Sequence, residues 1–268
     1  MPEAQSKSDL PREPLPLVLS IPHGSSRIPP GLEQDLALTP EQVEESVDQG
    51  TLEIFGDLSV AACLRAPCSR LVVDLNRAPD HWGEKGLVAT RDYHGRPIFR
   101  PGREPDAQEL QRRLRRYYQP YHRELAAALE RPGIKGLIDC HTLDGVGPAD
   151  APDPGQDRAG VVLGNGGGPE GGPRAGGGEP TCPPELLQVM AQAFQEVGIS
   201  VSLNRPYSGG YITRHYGALL RKRGLWAVQV ELNKDLFCRG PDHRPDPQAL
   251  ARTRRRVARA LAVIAARC

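Results

Sequence analysis

Six short runs rich in Val, Ile and Leu punctuate the chain: Leu15–Ile21, Arg70–Leu75, Gly136–Cys140, Gly160–Leu163, Ile199–Leu203 and Trp226–Leu232. Each has the length of a strand. Between them lie longer stretches with helical spacing of apolar positions, at about 40–63, 106–130, 184–197, 212–223 and 246–266. This alternation predicts an α/β fold, a mixed, mainly parallel sheet with helices on both faces. Thr39-Pro40-Glu41-Gln42 supplies an N-cap followed by proline at the first helical position, and Asp106 and Pro183-Pro184 start later helices. Gly145–Pro180 breaks the pattern with clusters such as Gly166-Gly167-Gly168 and Gly176-Gly177-Gly178. Such composition buries little apolar surface and predicts a long mobile loop, interrupted by the brief strand Gly160–Leu163. No strand–GxGxxG–helix or GxxxxGK[ST] context surrounds these glycines, so they are not read as a phosphate loop.

The polar residues cluster where the apolar runs stop. Leu15–Ile21 leads into Pro22-His23-Gly24, and Arg70–Leu75 carries Asp74 and ends in Asn76-Arg77. Gly136–Cys140 carries Asp139 and ends in His141-Thr142; Ile199–Leu203 ends in Asn204-Arg205-Pro206-Tyr207; Trp226–Leu232 carries Glu231 and ends in Asn233. Ligands of open α/β sheets bind outside the carboxyl ends of the strands, so parallel neighbours would bring these groups into one crevice. Strand alternation puts Asp139 with His141, Asp74 with Asn76, and Gln229 with Glu231 on shared faces. It turns Cys140 away from His141, which reads as a buried thiol rather than a nucleophile. Glu231, between Val230 and Leu232, is expensive to bury without a partner or a task.

His23 and His141 are candidate metal ligands, since neutral imidazole plus carboxylate is a normal zinc set. Asp48, Asp74 and Asp139 are candidates for the third ligand, and Asp139 could instead orient His141. His81, His94 and His243 fall in loop-like segments, and His122 falls in a helix where packing suffices. His215, between Arg214 and Tyr216 after a Gly-Gly turn, is more suggestive.

Charge narrows the partners. With 34 basic and 33 acidic residues the net charge is +1, which argues against nucleic acid and against a membrane surface held by charge. The run Arg252 to Arg256 shares a helical pattern with Leu250, Val257, Leu261 and Ile264, and reads as a solvated helix face. No apolar run is long enough to span a bilayer. The polar, Pro-rich residues 1–14 read as a disordered tail without a secretory signal, ahead of one domain over 15–268. Six cysteines without a framework pattern suit reduced thiols of a cytoplasmic protein.

Several blocks together resemble the N-formylglutamate amidohydrolase (deformylase) family. They are Ser20-Ile21-Pro22-His23-Gly24, Val73-Asp74-Leu75-Asn76-Arg77, Asp139-Cys140-His141-Thr142, the long stretch from Arg205 through Gly217 and Val230-Glu231-Leu232-Asn233. Tyr118 to His122 and Arg158 to Asn165 also fit. The resemblance implies a zinc-carboxypeptidase-like fold with the metal at strand ends. It implies His23 and His141 as zinc histidines, Asp48 as carboxylate ligand and Glu231 as general base. Asn76-Arg77 resembles a substrate-carboxylate pair, and His215 gains its place from the same family block. The Gly/Pro-rich insertion at 166–180 and the Ser25-Ser26-Arg27 loop depart from the family pattern and bear on substrate identity.

The expected activity is zinc-dependent hydrolysis of an N-acyl acidic amino acid, above all N-formyl-L-glutamate to L-glutamate and formate. An acidic small-molecule substrate needs cationic anchors, and planar bidentate arginine suits carboxylates: Arg77 first, then Arg214 and Arg205. Alternatives are the same chemistry on another N-acyl amino acid or peptide, and a non-catalytic ligand-binding homologue. A metal-free hydrolase using Cys140 or a serine lacks a GxSxG elbow.

Overall fold

The computed structural model describes residues 13–240 and 244–268. Most of the expected N-terminal tail, and His243, lie outside the described residues. A six-stranded sheet runs in the order β2-β1-β3-β6-β4-β5. Its strands are β1 (Leu15–Ile21), β2 (Val60–Arg65), β3 (Gly136–Leu143), β4 (Val161–Gly164), β5 (Val201–Leu203) and β6 (Trp226–Asn233). Pairings β1–β2, β1–β3, β3–β6 and β4–β5 are parallel, and β4–β6 is antiparallel. The mixed, mainly parallel α/β sheet expected from the sequence is therefore present. A short antiparallel pair, β7 (Cys238–Arg239) with β8 (Arg244–Pro245), stands apart.

The helices are α1 (Pro40–Glu45), α2 (Thr51–Phe55), α3 (Ala107–Arg113), α4 (Gln119–Leu129), α5 (Pro184–Glu196), α6 (Tyr211–Arg221) and α7 (Pro247–Arg267). Period-two alternation divides the sheet into two packed faces. Leu17, Leu19, Ile21, Ile138, Cys140, Val228 and Val230 bury against α2, α5 and α7, with Phe55, Phe194 and Leu261 among the contacts. Val18, Leu137 and Ala227 bury on the other face with Leu125 of α4 and Ile212, Tyr216 and Leu220 of α6. Asp139, His141, Gln229 and Glu231 occupy this second face, at the carboxyl ends of β3 and β6. Cys140 points the opposite way, where burial pushes its thiol well above the ordinary range. All six cysteines are free thiols. Among the described residues no helix is long and apolar enough to cross a membrane.

Two sequence expectations need correction. The helix expected over 40–63 is two short helices and an edge strand. Its apolar spacing is interrupted at Gly50, whose φ of 85° lies in the left-handed region and whose absent side chain admits the Phe237 ring. Gly56 ends α2, and Val60–Arg65 then pairs with β1 instead of extending the helix. Arg70–Leu75 is not a strand but a buried run of turns. Its backbone is satisfied locally and by loops, with Val72 N donating to Ser69 O (3.0 Å) and Asp74 N to Leu87 O (2.7 Å). Leu71, Val72, Val73 and Leu75 are buried as a core strand would be, which is why composition could not separate the two.

The helix expected over 106–130 is α3, a π-helical turn at Leu114–Tyr118 and α4 in succession. Thr39 forms a reciprocal capping box with Gln42, and Asp106 caps α3 through Glu109 N. The Gly/Pro-rich stretch carries local hydrogen bonds of its own. Asn165 Nδ2 donates to the carbonyls of Gly171 and Cys182, both at 2.8 Å, while the Arg158 guanidinium grips Asp153 through two nitrogens.

Candidate metal and active site

His23 follows β1 directly, and His141 sits near the end of β3. The loop between α1 and α2 brings Asp48 to both. It is held by Asp48 N donating to His23 O (3.0 Å), by Thr51 Oγ1 donating to Asp48 O (2.7 Å) and by Thr142 Oγ1 donating to Gln49 O (3.0 Å). Asp48 Oδ2 lies 2.8 Å from His141 Nδ1 and 3.4 Å from His23 Nδ1. One ligand atom from each of the three residues lies within 4.8 Å of the others, as metal ligands do.

The far nitrogens of both rings meet carboxylates. His23 Nε2 is 2.7 Å from Asp74 Oδ1, and His141 Nε2 is 3.3 Å from Asp139 Oδ1. The Asp74 carboxylate holds the His23 proton on Nε2 and leaves its Nδ1 lone pair for a metal, whereas His141 Nε2 faces both Asp139 and, at 3.1 Å, Asn76 Nδ2. The fit shows at His23 Nδ1, which is buried and, apart from Asp48 Oδ2 at 3.4 Å, has no hydrogen-bond partner among the described residues. A buried ring nitrogen without a partner is costly unless something accepts its lone pair, and a cation between His23, His141 and Asp48 does so. Two imidazoles and a carboxylate suit zinc. Of the three carboxylates that the sequence left open as third ligand, Asp48 faces both histidines on the Nδ1 side; Asp74 and Asp139 back them from outside.

Charges follow this geometry. Burial raises the Asp48 carboxyl, but His23 and His141 outweigh it and hold it below the usual range. Burial likewise opposes ionisation of Asp74, and His23 and Arg70 reverse the balance. For His141, burial disfavours the proton while Asp139 and Asp48 attract it more strongly, so its pKa is raised. A cation at this site would compete with that proton for one nitrogen, so metal uptake would release protons. Asp139 is fully buried and accepts from Ser20 Oγ (3.2 Å), Asn76 Nδ2 (3.2 Å) and Thr213 Oγ1 (3.1 Å).

Glu231 stands opposite His141 in the β3–β6 register and is 8% exposed. Burial, with Asp48 and Asp139 nearby, pushes its carboxyl up to about 8 against the pull of His141 and Arg70. Gln229 Nε2 donates to its Oε1 at 2.9 Å.

These groups line a cavity of about 560 Å³. Its wall includes His23, Asp48, His141, Glu231, Asn76, Arg77 and Arg214 from among the expected site residues. Arg205 and His215 are absent from it: Arg205 is exposed, and His215 stacks on Tyr211 with ring centroids 4.9 Å apart. The Asn76 amide is already engaged, its Oδ1 accepting from Ile212 N (2.8 Å) and its Nδ2 donating to Asp139. Arg77 spends its guanidinium on the carbonyls of Lys85 and Asn76, with Asp74 4.0 Å away.

Other cavity cations have acidic partners: Arg70 with Asp74, Lys85 with Asp150, Arg91 with Glu84, Arg158 with Asp153 and Lys234 with Asp144. The Arg214 guanidinium donates to Ser208 Oγ (3.2 Å) and has no acidic partner among the described residues, with Arg174 as a nearby like charge. Arg70, Lys234 and Arg158 were not singled out from sequence. The one local hint for Arg70 is its spacing four residues before Asp74.

The fold together with this cluster defines an α/β protein with a His/Asp/His metal-type site at the ends of its strands. The chain belongs to the N-formylglutamate amidohydrolase family, whose profile matches residues 15–238. The N-formylglutamate deformylase of Pseudomonas aeruginosa is 32% identical over 238 residues, covering 81% of this chain and 80% of the relative. That of Pseudomonas putida is 29% identical over 240 residues, covering 83% and 82%. The crystal structure of N-formylglutamate amidohydrolase from Ralstonia eutropha JMP134 shares the fold, with a TM-score of 0.75 at 22% identity over 96% of each chain.

Proposed function

We propose that this protein hydrolyses the amide bond of an N-acyl acidic amino acid, with N-formyl-L-glutamate as preferred substrate, using a zinc ion held by His23, Asp48 and His141. The observation that carries this reading is the convergence of two imidazole Nδ1 atoms on Asp48 Oδ2 in a cavity that also holds Glu231. The named relatives act on N-formylglutamate, which supports the substrate assignment.

His23, Asp48 and His141 would hold the ion, which when bound would supply Lewis acidity at the scissile carbonyl. Glu231 takes a proton from the attacking water as the new C–O bond forms. It then returns that proton to the nitrogen as the C–N bond breaks, because an amine anion is a poor leaving group. The products are formate and L-glutamate. Asp74 keeps the outer proton of His23 in place, and Asp139 with Asn76 fixes the His141 ring from outside.

Arg214 is the substrate-carboxylate anchor that the charge pattern favours, with Arg77 at the same wall. Arg214→Ala is expected to lower kcat/KM for N-formyl-L-glutamate by about 10–100-fold, chiefly through KM, as loss of one charge-assisted contact does. The experiment is steady-state hydrolysis of N-formyl-L-glutamate beside N-formyl-L-leucine, in wild type and Arg214→Ala. The reading expects a wild-type preference for the acidic substrate that the variant loses. Equal turnover of both substrates by wild type would remove the acidic-substrate assignment.

A further inference from the structure

Glu231 shares its face of β6 with Gln229, which is 4% exposed. The orientation of the Gln229 amide is fixed by its partners. Gly210 N lies 2.7 Å from Oε1, and a backbone N–H can only donate, so the oxygen must face Gly210. Nε2 is then the end turned to Glu231 Oε1, at 2.9 Å. One side chain thus joins the buried carboxylate to the loop that opens α6.

That loop has little freedom of its own. A Cβ on Gly210 would meet Asn76 Nδ2 at 2.4 Å, so the backbone is pressed against Asn76. Asn76 Oδ1 accepts from Ile212 N, and Arg214 N donates to Gly210 O (3.1 Å). Gln229 therefore uses a rigid backbone point as its anchor and passes that rigidity to Glu231.

We propose that Gln229 is a positioning residue for Glu231, an inference that rests on Glu231 being the base. Its Nε2 occupies Oε1, fixes the carboxylate plane and leaves Oε2 for proton transfer. A carboxylate in a buried site without this hydrogen bond rotates among rotamers, and small misplacement of a reacting group costs rate steeply.

The test compares wild type with Gln229→Met and Gln229→Leu, each of which removes both contacts without adding a charge beside Glu231. Kinetics with N-formyl-L-glutamate, bound zinc per chain and melting temperature are measured for each, with Glu231→Gln alongside. Both Gln229 variants are expected to lose about 10²-fold in kcat, with KM within about twofold of wild type and zinc content unchanged. A kcat near the wild-type value in either variant overturns the proposal. So does a rise in KM at constant kcat, which would make Gln229 a substrate contact, or loss of folded protein in both variants, which would make it a structural residue. If Glu231→Gln itself turns over at the wild-type rate, the assignment of the base has failed rather than the role of Gln229.

Discussion

Glu231→Gln is expected to lower kcat by about 10²–10⁴-fold, the usual contribution of a positioned acid–base group, while bound metal stays at the wild-type level. The substitution is isosteric and Gln229 can still donate to the remaining carbonyl oxygen, so the local packing survives. The fold has no reason to suffer, since a neutral amide is cheaper to bury than a carboxylate. In the metal-free protein burial already pushes this carboxyl up to about 8. A cation at His23, Asp48 and His141 would lower it by favouring the ionised form. Kinetics and metal analysis on the same preparation check the prediction. Undiminished kcat with full metal occupancy would exclude Glu231 as the base.

Asp48→Asn is expected to have the other large effect, and it acts on the metal rather than the proton. Asp48 Oδ2 is the atom shared by both histidines, 2.8 Å from His141 Nδ1 and 3.4 Å from His23 Nδ1. The amide keeps the shape and removes the charge. Zinc affinity should fall by more than the roughly 10–100-fold that outer-shell partners contribute, because a direct ligand is lost. Competition with a chelator measures this without reference to turnover. Loss of zinc binding together with activity is the expected outcome; unchanged affinity would show that Asp48 is not a ligand. Asp74→Asn, which changes the outer contact of His23 and the Arg70 ion pair but no ligand atom, should weaken zinc less.

The central strands were legible because Leu15–Ile21, Gly136–Cys140 and Trp226–Leu232 are mainly apolar runs in a sheet covered on both faces, broken only at a few polar positions such as Ser20, Asp139, Gln229 and Glu231. Alternation along two of them placed Asp139 with His141 and Gln229 with Glu231 on one face, and the structure keeps both pairs there. Arg70–Leu75 reads like the true strands because burial, not backbone conformation, dictates its composition. Val60–Arg65 was hidden because an edge strand of Ala, Cys and Leu has little β signal of its own.

At the site, strand ends indicated which polar groups converge, but not how each is paired. Arg77 and Arg214 look alike in sequence. Only the tertiary contacts reveal that Arg77 is tied to carbonyls and near Asp74, whereas Arg214 has no acidic partner among the described residues. The same holds for the histidine carboxylates. Asp48, Asp74 and Asp139 differ in role because of which imidazole nitrogen each one faces, and no spacing along the chain encodes that.

The central claim is tested most directly by measuring bound metal and glutamate release from N-formyl-L-glutamate on one preparation, before chelation, after it, and after zinc is restored. The account predicts about one zinc per chain, with activity that disappears on chelation and returns with zinc. Turnover that persists in fully metal-free protein would contradict it.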